Sequence, residues 1–198
     1  MKHASIIALI LALAMLIGVL TGCAGGPPDD EAAKIVADLV RASYEMNIIY
    51  FGDGMPSRAD SGDEGKVGFY SDLTDDAPYL TEAELREATL RVFTENYSSV
   101  IFETFLSGVS DPDSGGVVYA RYVEQGDRLT KKVEYEPLAP KTRTYDLKNI
   151  TIERSRSDMI TATLKSYLDG APDVNVRVTV RLEERDGEKV WRLDSPTY

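Results

Sequence analysis

Few residues in this chain can do chemistry. Its one cysteine, Cys23, closes the run Leu20-Thr21-Gly22-Cys23 behind an uncharged apolar stretch, Ala4 to Leu20, that follows Lys2. Its one histidine is His3. A single thiol closes no intrachain disulfide. No serine is followed three residues later by lysine, and neither Gly-x-Ser-x-Gly nor a phosphate loop occurs. Gly52-Asp53-Gly54 begins like a dinucleotide-binding turn, but Ser57 stands where the last glycine belongs. Asp111-Pro112-Asp113-Ser114-Gly115-Gly116 begins like a calcium loop, yet Gly115 at position five and Tyr122 at position twelve offer no carboxylate, so it reads as a helix-to-strand turn. The acids from Asp60 to Glu64 lack ligand spacing as well. Carboxylate chemistry stays formally open: with 33 acids some pair will be close by chance, so spacing nominates no glycosidase dyad. An acid and a tyrosine in a cavity can move a proton. Tyr119, Tyr135 and Tyr145 are candidates to line one, although strand tyrosines usually fill a core with the hydroxyl at its rim. We expect no metal, no cofactor and no enzymatic activity.

The basic start, the apolar run and the small residues before Cys23 resemble a bacterial lipobox, where a secreted precursor receives a diacylglyceryl thioether and is cut just before the cysteine. A spanning helix needs about 20 apolar residues, and this run is slightly short. The resemblance implies a signal peptide over 1–22, lipidation at Cys23, a tether over 23–30 and one extracytoplasmic domain over 31–198. Two acyl chains suffice for stable membrane residence. The mature chain would have 176 residues and no histidine, which excludes Ser-His-Asp and Cys-His catalysis and the usual zinc and copper sites. Loss of Lys2 takes the formal charge from −11 to −12. Such a surface repels nucleic acid and suits a basic protein partner, or serves solubility alone. The tether Ala24 to Asp30, extended, reaches about 20 Å.

The elements follow from periodicity. Asp29 or Asp30 should cap a helix ending near Tyr50 or Phe51, with Ile35, Val36, Leu39, Val40, Ser43, Tyr44 and Asn47 on or beside one stripe. Gly52, Gly54 and Pro56 stop it, and a polar acidic loop occupies 52–65. Thr81-Glu82-Ala83-Glu84 is a capping box opening a second helix that runs to about Leu106. Past Gly115-Gly116 the period changes to two. Val117 to Glu124 and Arg128 to Glu136 should form a hairpin, and Thr142 to Arg154 a third strand whose phase slips between Leu147 and Ile150. A fourth strand carries Ile160, Ala162, Leu164 and Leu168. In a fifth, Val174, Val176, Val178, Val180 and Leu182 form a dry face. Asp186-Gly187 turns it into a sixth, with Trp191 and Leu193 inward.

Two helices followed by a long antiparallel meander predict an α+β fold, the helices packed on a curved, cone-like sheet of five or six strands. This order is similar to nuclear-transport-factor-2-like, or cystatin-like, domains. Further stretches resemble the extracytoplasmic inhibitors of cell-wall DL-endopeptidases of Gram-positive bacteria. They are Asn47-Ile48-Ile49-Tyr50-Phe51-Gly52-Asp53-Gly54, Ala77-Pro78-Tyr79, Val92-Phe93-Thr94-Glu95-Asn96-Tyr97, Val118-Tyr119-Ala120-Arg121-Tyr122 and Trp191-Arg192-Leu193-Asp194-Ser195-Pro196-Thr197-Tyr198. The resemblance implies a lipid-anchored protein that offers a loop to a hydrolase cleft. Asp60, Asp63 and Glu64, or Asp111 and Asp113, would serve against a basic cleft. The alternative is a cone that binds a small ligand or transfers a proton, which needs an open apolar cavity with a few polar groups. A blander third option is an envelope assembly factor using the wet strand face of Arg177, Thr179 and Arg181.

Overall fold

The computed structural model describes residues 25–58, 70–110, 117–118, 120–133 and 142–198. Helix α1, Asp29–Tyr50, starts at an expected acid, but Pro28 holds the cap position and no side chain caps it. Asp29, Asp30 and Glu31 instead fill the first turn, where acids complement the helix dipole. The buried face is Ala32, Val36, Ala37, Val40, Ser43, Met46, Ile49 and Tyr50, while Ile35, Leu39 and Tyr44 are partly buried at its margin.

The main sheet is antiparallel and ordered β10-β9-β8-β6, with β7 also pairing β8. Its strands are β6 Arg143–Tyr145, β7 Thr151–Ser155, β8 Met159–Leu168, β9 Ala171–Arg185 and β10 Glu188–Leu193. The expected single strand over 142–154 is broken in two, and both pieces pair along β8: Tyr145 opposite Ser166, and Thr151 opposite Thr163. Asp146 causes the break. Its carboxylate accepts from the Lys148 amide at 3.1 Å and from Asn149 Nδ2 at 2.7 Å, an Asx-type turn. The α1 stripe packs on this sheet, against Ile160, Ala162, Leu164, Val178, Val180 and Leu193, all fully buried. Burying each Val, Ile or Leu among them contributes about 1.5–3 kcal/mol, so this layer carries much of the stability. The dry face of β9 is shorter than expected. Val178 and Val180 are buried, but Val174 is 64% exposed because it lies toward the β8–β9 hairpin, near the end of the sheet. Trp191 is half-buried and Leu193 fully buried.

The second helical region is two helices. The Thr81 capping box is present and opens α2, Glu82–Val92. Phe93 is then extended, Thr94 caps α3, Glu95–Phe102, and a π-helical turn, Glu103–Ser107, follows. The expectation of one helix to Leu106 fails because the chain stops to pair with the far end of the sequence. Phe93 bridges Leu193, the Thr94 amide donates to the Leu193 carbonyl at 2.8 Å, and Thr94 Oγ1 donates to Asp194 at 2.8 Å. A smaller sheet, β1-β5-β4, comprises β1 Tyr70–Asp72, β4 Tyr122–Gln125 and β5 Arg128–Lys132. The expected hairpin around Gln125-Gly126-Asp127 is its β4–β5 unit. The strand expected from Val117 divides: β3, Val117–Val118, pairs instead with β2, Val109–Ser110. The fold is thus α+β with curved antiparallel sheets, with three α-helices among the described residues where two were expected.

Candidate functional site

Among the described residues, the C-terminal end of α1 is densely braced by side chains. A helix leaves its last carbonyls without partners. Here Arg121 and Tyr122 supply partners, and Lys131 with Arg121 holds the turn that follows. Arg121, 1% exposed, donates from Nη1 to the Tyr50 carbonyl at 2.7 Å and from Nη2 to the Gly52 carbonyl at 2.6 Å. Tyr122 Oη donates to the Ile49 carbonyl at 2.9 Å and accepts from the Met55 amide at 2.9 Å. Lys131 Nζ donates to the Met55 carbonyl at 2.8 Å. A positive charge at the negative end of the helix dipole is well placed. The turn fits so tightly that Gly54, at φ 82°, leaves no room for a side chain: a Cβ would stand 2.6 Å from Arg121 Nη2 and 2.7 Å from Tyr122 Oη.

Aromatic and C-terminal residues close the same corner. Tyr198 stacks on Phe51 with centroids 3.6 Å apart, and Phe51 meets the edge of Phe105 at 5.0 Å. Thr197 is buried; its hydroxyl shares a 2.7 Å bond with Ser43, and Asn47 Nδ2 donates to its carbonyl at 2.9 Å. Ser43 and Asn47, the polar members of the predicted stripe, are therefore receptors for the chain's last residues.

Beside this corner runs an open groove of about 420 Å³, lined by Arg41, Tyr44, Glu45, Ile48, Met55 and Pro78 among others. Ile48 is 54% exposed along it. Tyr79 lies nearby; burial, helped by the Glu45 carboxylate that accepts its hydrogen bond, pushes its phenol up to about 12. A smaller hollow of about 200 Å³ between α2 and the β9–β10 turn is polar and internally compensated, with Arg91 paired to Glu87 and Arg185 to Asp186.

All six site residues nominated from sequence, Cys23, Asp60, Asp63, Glu64, Asp111 and Asp113, lie outside the described residues. Their flanks are described. The stretch 59–69 is rooted where Ser57 bridges Leu73 and the Arg58 amide bonds the Asp72 carbonyl, directly after Met55 and Pro56 of the groove. The stretch 111–116 joins β2 to β3, just before Arg121, whose amide bonds the Phe105 carbonyl. Both acidic stretches are thus rooted around the braced end of α1. Of the cavity tyrosines, Tyr119 and Tyr135 also lie outside the described residues. Tyr145 stacks on Tyr44 at 6.4 Å; its buried hydroxyl has no partner among the described residues, and burial raises its ionisation to about 12. Among the described residues no group of three or more potential metal ligands forms, and no helix is long and apolar enough to cross a membrane.

The stretches that carry the inhibitor resemblance meet in this corner. Arg121 and Tyr122 hold the Ile49–Gly52 carbonyls, Thr197 and Tyr198 lie on Asn47 and Phe51, Thr94 holds Leu193, and Pro78 walls the groove. Most of these side chains are internal and serve packing. Sequence reasoning missed Arg121, since a strand arginine ordinarily faces water; the one available signal was its place between Ala120 and Tyr122 beside a hairpin. Neither a protein-family model nor any curated protein matches the chain.

Proposed function

We propose that the protein is a lipid-anchored, extracytoplasmic, non-enzymatic binding protein, held by a diacylglyceryl group on Cys23, that inhibits or regulates a cell-wall DL-endopeptidase. One observation supports this reading most: the roots of both acidic stretches lie at the braced end of α1, at the other end of that helix from the anchor. A rigid base reduces the ordering cost of presenting a loop to a cleft. Asp60, Asp63 and Glu64, with Asp111 and Asp113, would give that loop its charge, and a basic cleft is the complementary surface. The cone reading would need an open apolar cavity, and the full burial of Val36, Val40, Ile160, Leu164 and Val178 between α1 and the sheet favours the first reading.

A pull-down from envelope extract tests the proposal, with the chain from Gly25 to Tyr198 as bait and mass spectrometry to identify what binds. Starting at Gly25 keeps the Pro27 carbonyl that Ser155 bonds. Recovery of a peptidoglycan endopeptidase whose activity then falls with dose supports the proposal. Recovery of no envelope protein contradicts it.

A further inference from the structure

The stretch before α1 is much less free than a seven-residue tether would be. Pro27 is buried, and its carbonyl accepts from Ser155 Oγ at 2.6 Å. Gly26 lies so close on the backbone of Arg156 that a Cβ there would collide with it. The folded body therefore grips the chain from Gly26 onward, three residues after Cys23. Three residues of extended chain span at most about 11 Å.

The same place carries a second peculiarity. Among the described residues, every arginine but two makes a side-chain hydrogen bond or ion pair: Arg177 with Glu153, Arg181 with Asp194 and Arg143 with Asp173 are the nearest on this sheet. The exceptions are Arg154 and Arg156, both exposed, at the end of β7 and in the turn to β8. In a chain of charge −11, two exposed arginines beside the tether, without a protein partner among the described residues, are available to an external anion.

We propose that the β7–β8 turn is the surface lying against the membrane, with Arg154 and Arg156 paired to phosphates of lipid headgroups. The proposal rests on the lipid-anchor reading of Cys23. A short tether leaves little choice of face, because the lipidated residue must sit at headgroup depth while Gly26 stays on Arg156. Asp29, Asp30 and Glu31 of α1 and Asp158 of the turn share this end, so long-range attraction does not bring it to the bilayer. The acyl chains do that, and the arginines then make short-range contacts that screening affects little. The groove at Ile48 is held away from the anchored end: 19 residues of helix separate it from Asp29, about 29 Å at 1.5 Å per residue.

The test uses the full lipidated protein in vesicles of phosphatidylcholine with a minority of phosphatidylglycerol. Cys23 is consumed by lipid, so Ser157→Cys and Asn175→Cys each accept one fluorophore, at the turn and toward the opposite end of the sheet. Vesicle flotation reports the anchor, and quenching by headgroup spin-labelled lipid reports the face. The expected result is flotation with quenching several-fold stronger at position 157 than at 175. Replacing Arg154→Gln and Arg156→Gln together should narrow that difference, and an unchanged difference removes the arginines from the proposal. Flotation with equal or reversed quenching overturns the membrane face while leaving the anchor standing. Failure to float overturns the anchor, and the face with it.

Discussion

The two ends of α1 are finished by different means. At the N-terminus no side chain caps the helix, three acids answer its dipole, and one serine hydroxyl donates to the Pro27 carbonyl. At the C-terminus a buried guanidinium, a phenol and an ammonium bond the carbonyls of Ile49, Tyr50, Gly52 and Met55. The first end is held lightly. The second bears the roots of both acidic stretches, and burying a charge there is tolerable only because backbone oxygens receive it. Removing that charge breaks the comparison most strongly. Arg121→Ala leaves buried carbonyls unpaired and a void, and should cost about 3–5 kcal/mol, lowering Tm by about 10 °C in a thermal melt. Arg121→Lys keeps the charge but not the two-pronged fork, and should fall between parent and alanine variant.

Gly54→Ala attacks the same end from the other side. Its φ of 82° and the 2.6 Å approach to Arg121 predict a loss of stability. We expect about 2 kcal/mol by denaturant titration, with unchanged m-value. At the lightly held end, Ser155→Ala should cost only about 1 kcal/mol, and amide exchange should quicken at residues 26–32 without changing near Tyr50.

Two tyrosines along the C-terminal half of α1 sharpen the contrast further. Burial raises the ionisation of Tyr79 and Tyr145 from the ordinary 10 to about 12. The unfolded chain releases these protons from pH 10 and the folded chain only near 12. Stability tied to them is therefore complete below pH 10 and lost as the pH rises toward 12. Tyr79→Phe should flatten that alkaline limb in a stability-versus-pH series. Tyr145→Phe removes a buried hydroxyl that lacks a partner among the described residues, and should be neutral or stabilising by up to about 1 kcal/mol.

Local signals were legible where local chemistry decides the outcome. The Thr81 box, the stop of α1 at Tyr50 and the β4–β5 hairpin were all readable because each is set by residues within a few positions. The break at Phe93 was not, since Val92, Phe93 and Tyr97 keep helical spacing and the interruption is made by Leu193 and Asp194, about a hundred residues away. Thr94 before Glu95 was a usable second cap signal. The slip between Leu147 and Ile150 was visible as phase, but its size was not, because Asp146 replaces a bulge with a full turn. Arg121 was illegible for the same reason as the Phe93 break: its partners are 69 and 71 residues distant.

The functional claim turns on whether the acidic stretches rooted at the braced end engage a hydrolase. Titrating a purified DL-endopeptidase with the chain from Gly25 to Tyr198, beside a variant carrying Asp60→Asn, Asp63→Asn and Glu64→Gln, tests it most directly. The account predicts dose-dependent loss of hydrolysis by the parent, relieved by salt, and inhibition weakened about tenfold or more in the variant. Hydrolysis unchanged at saturating protein, or equal inhibition by parent and variant, would contradict it.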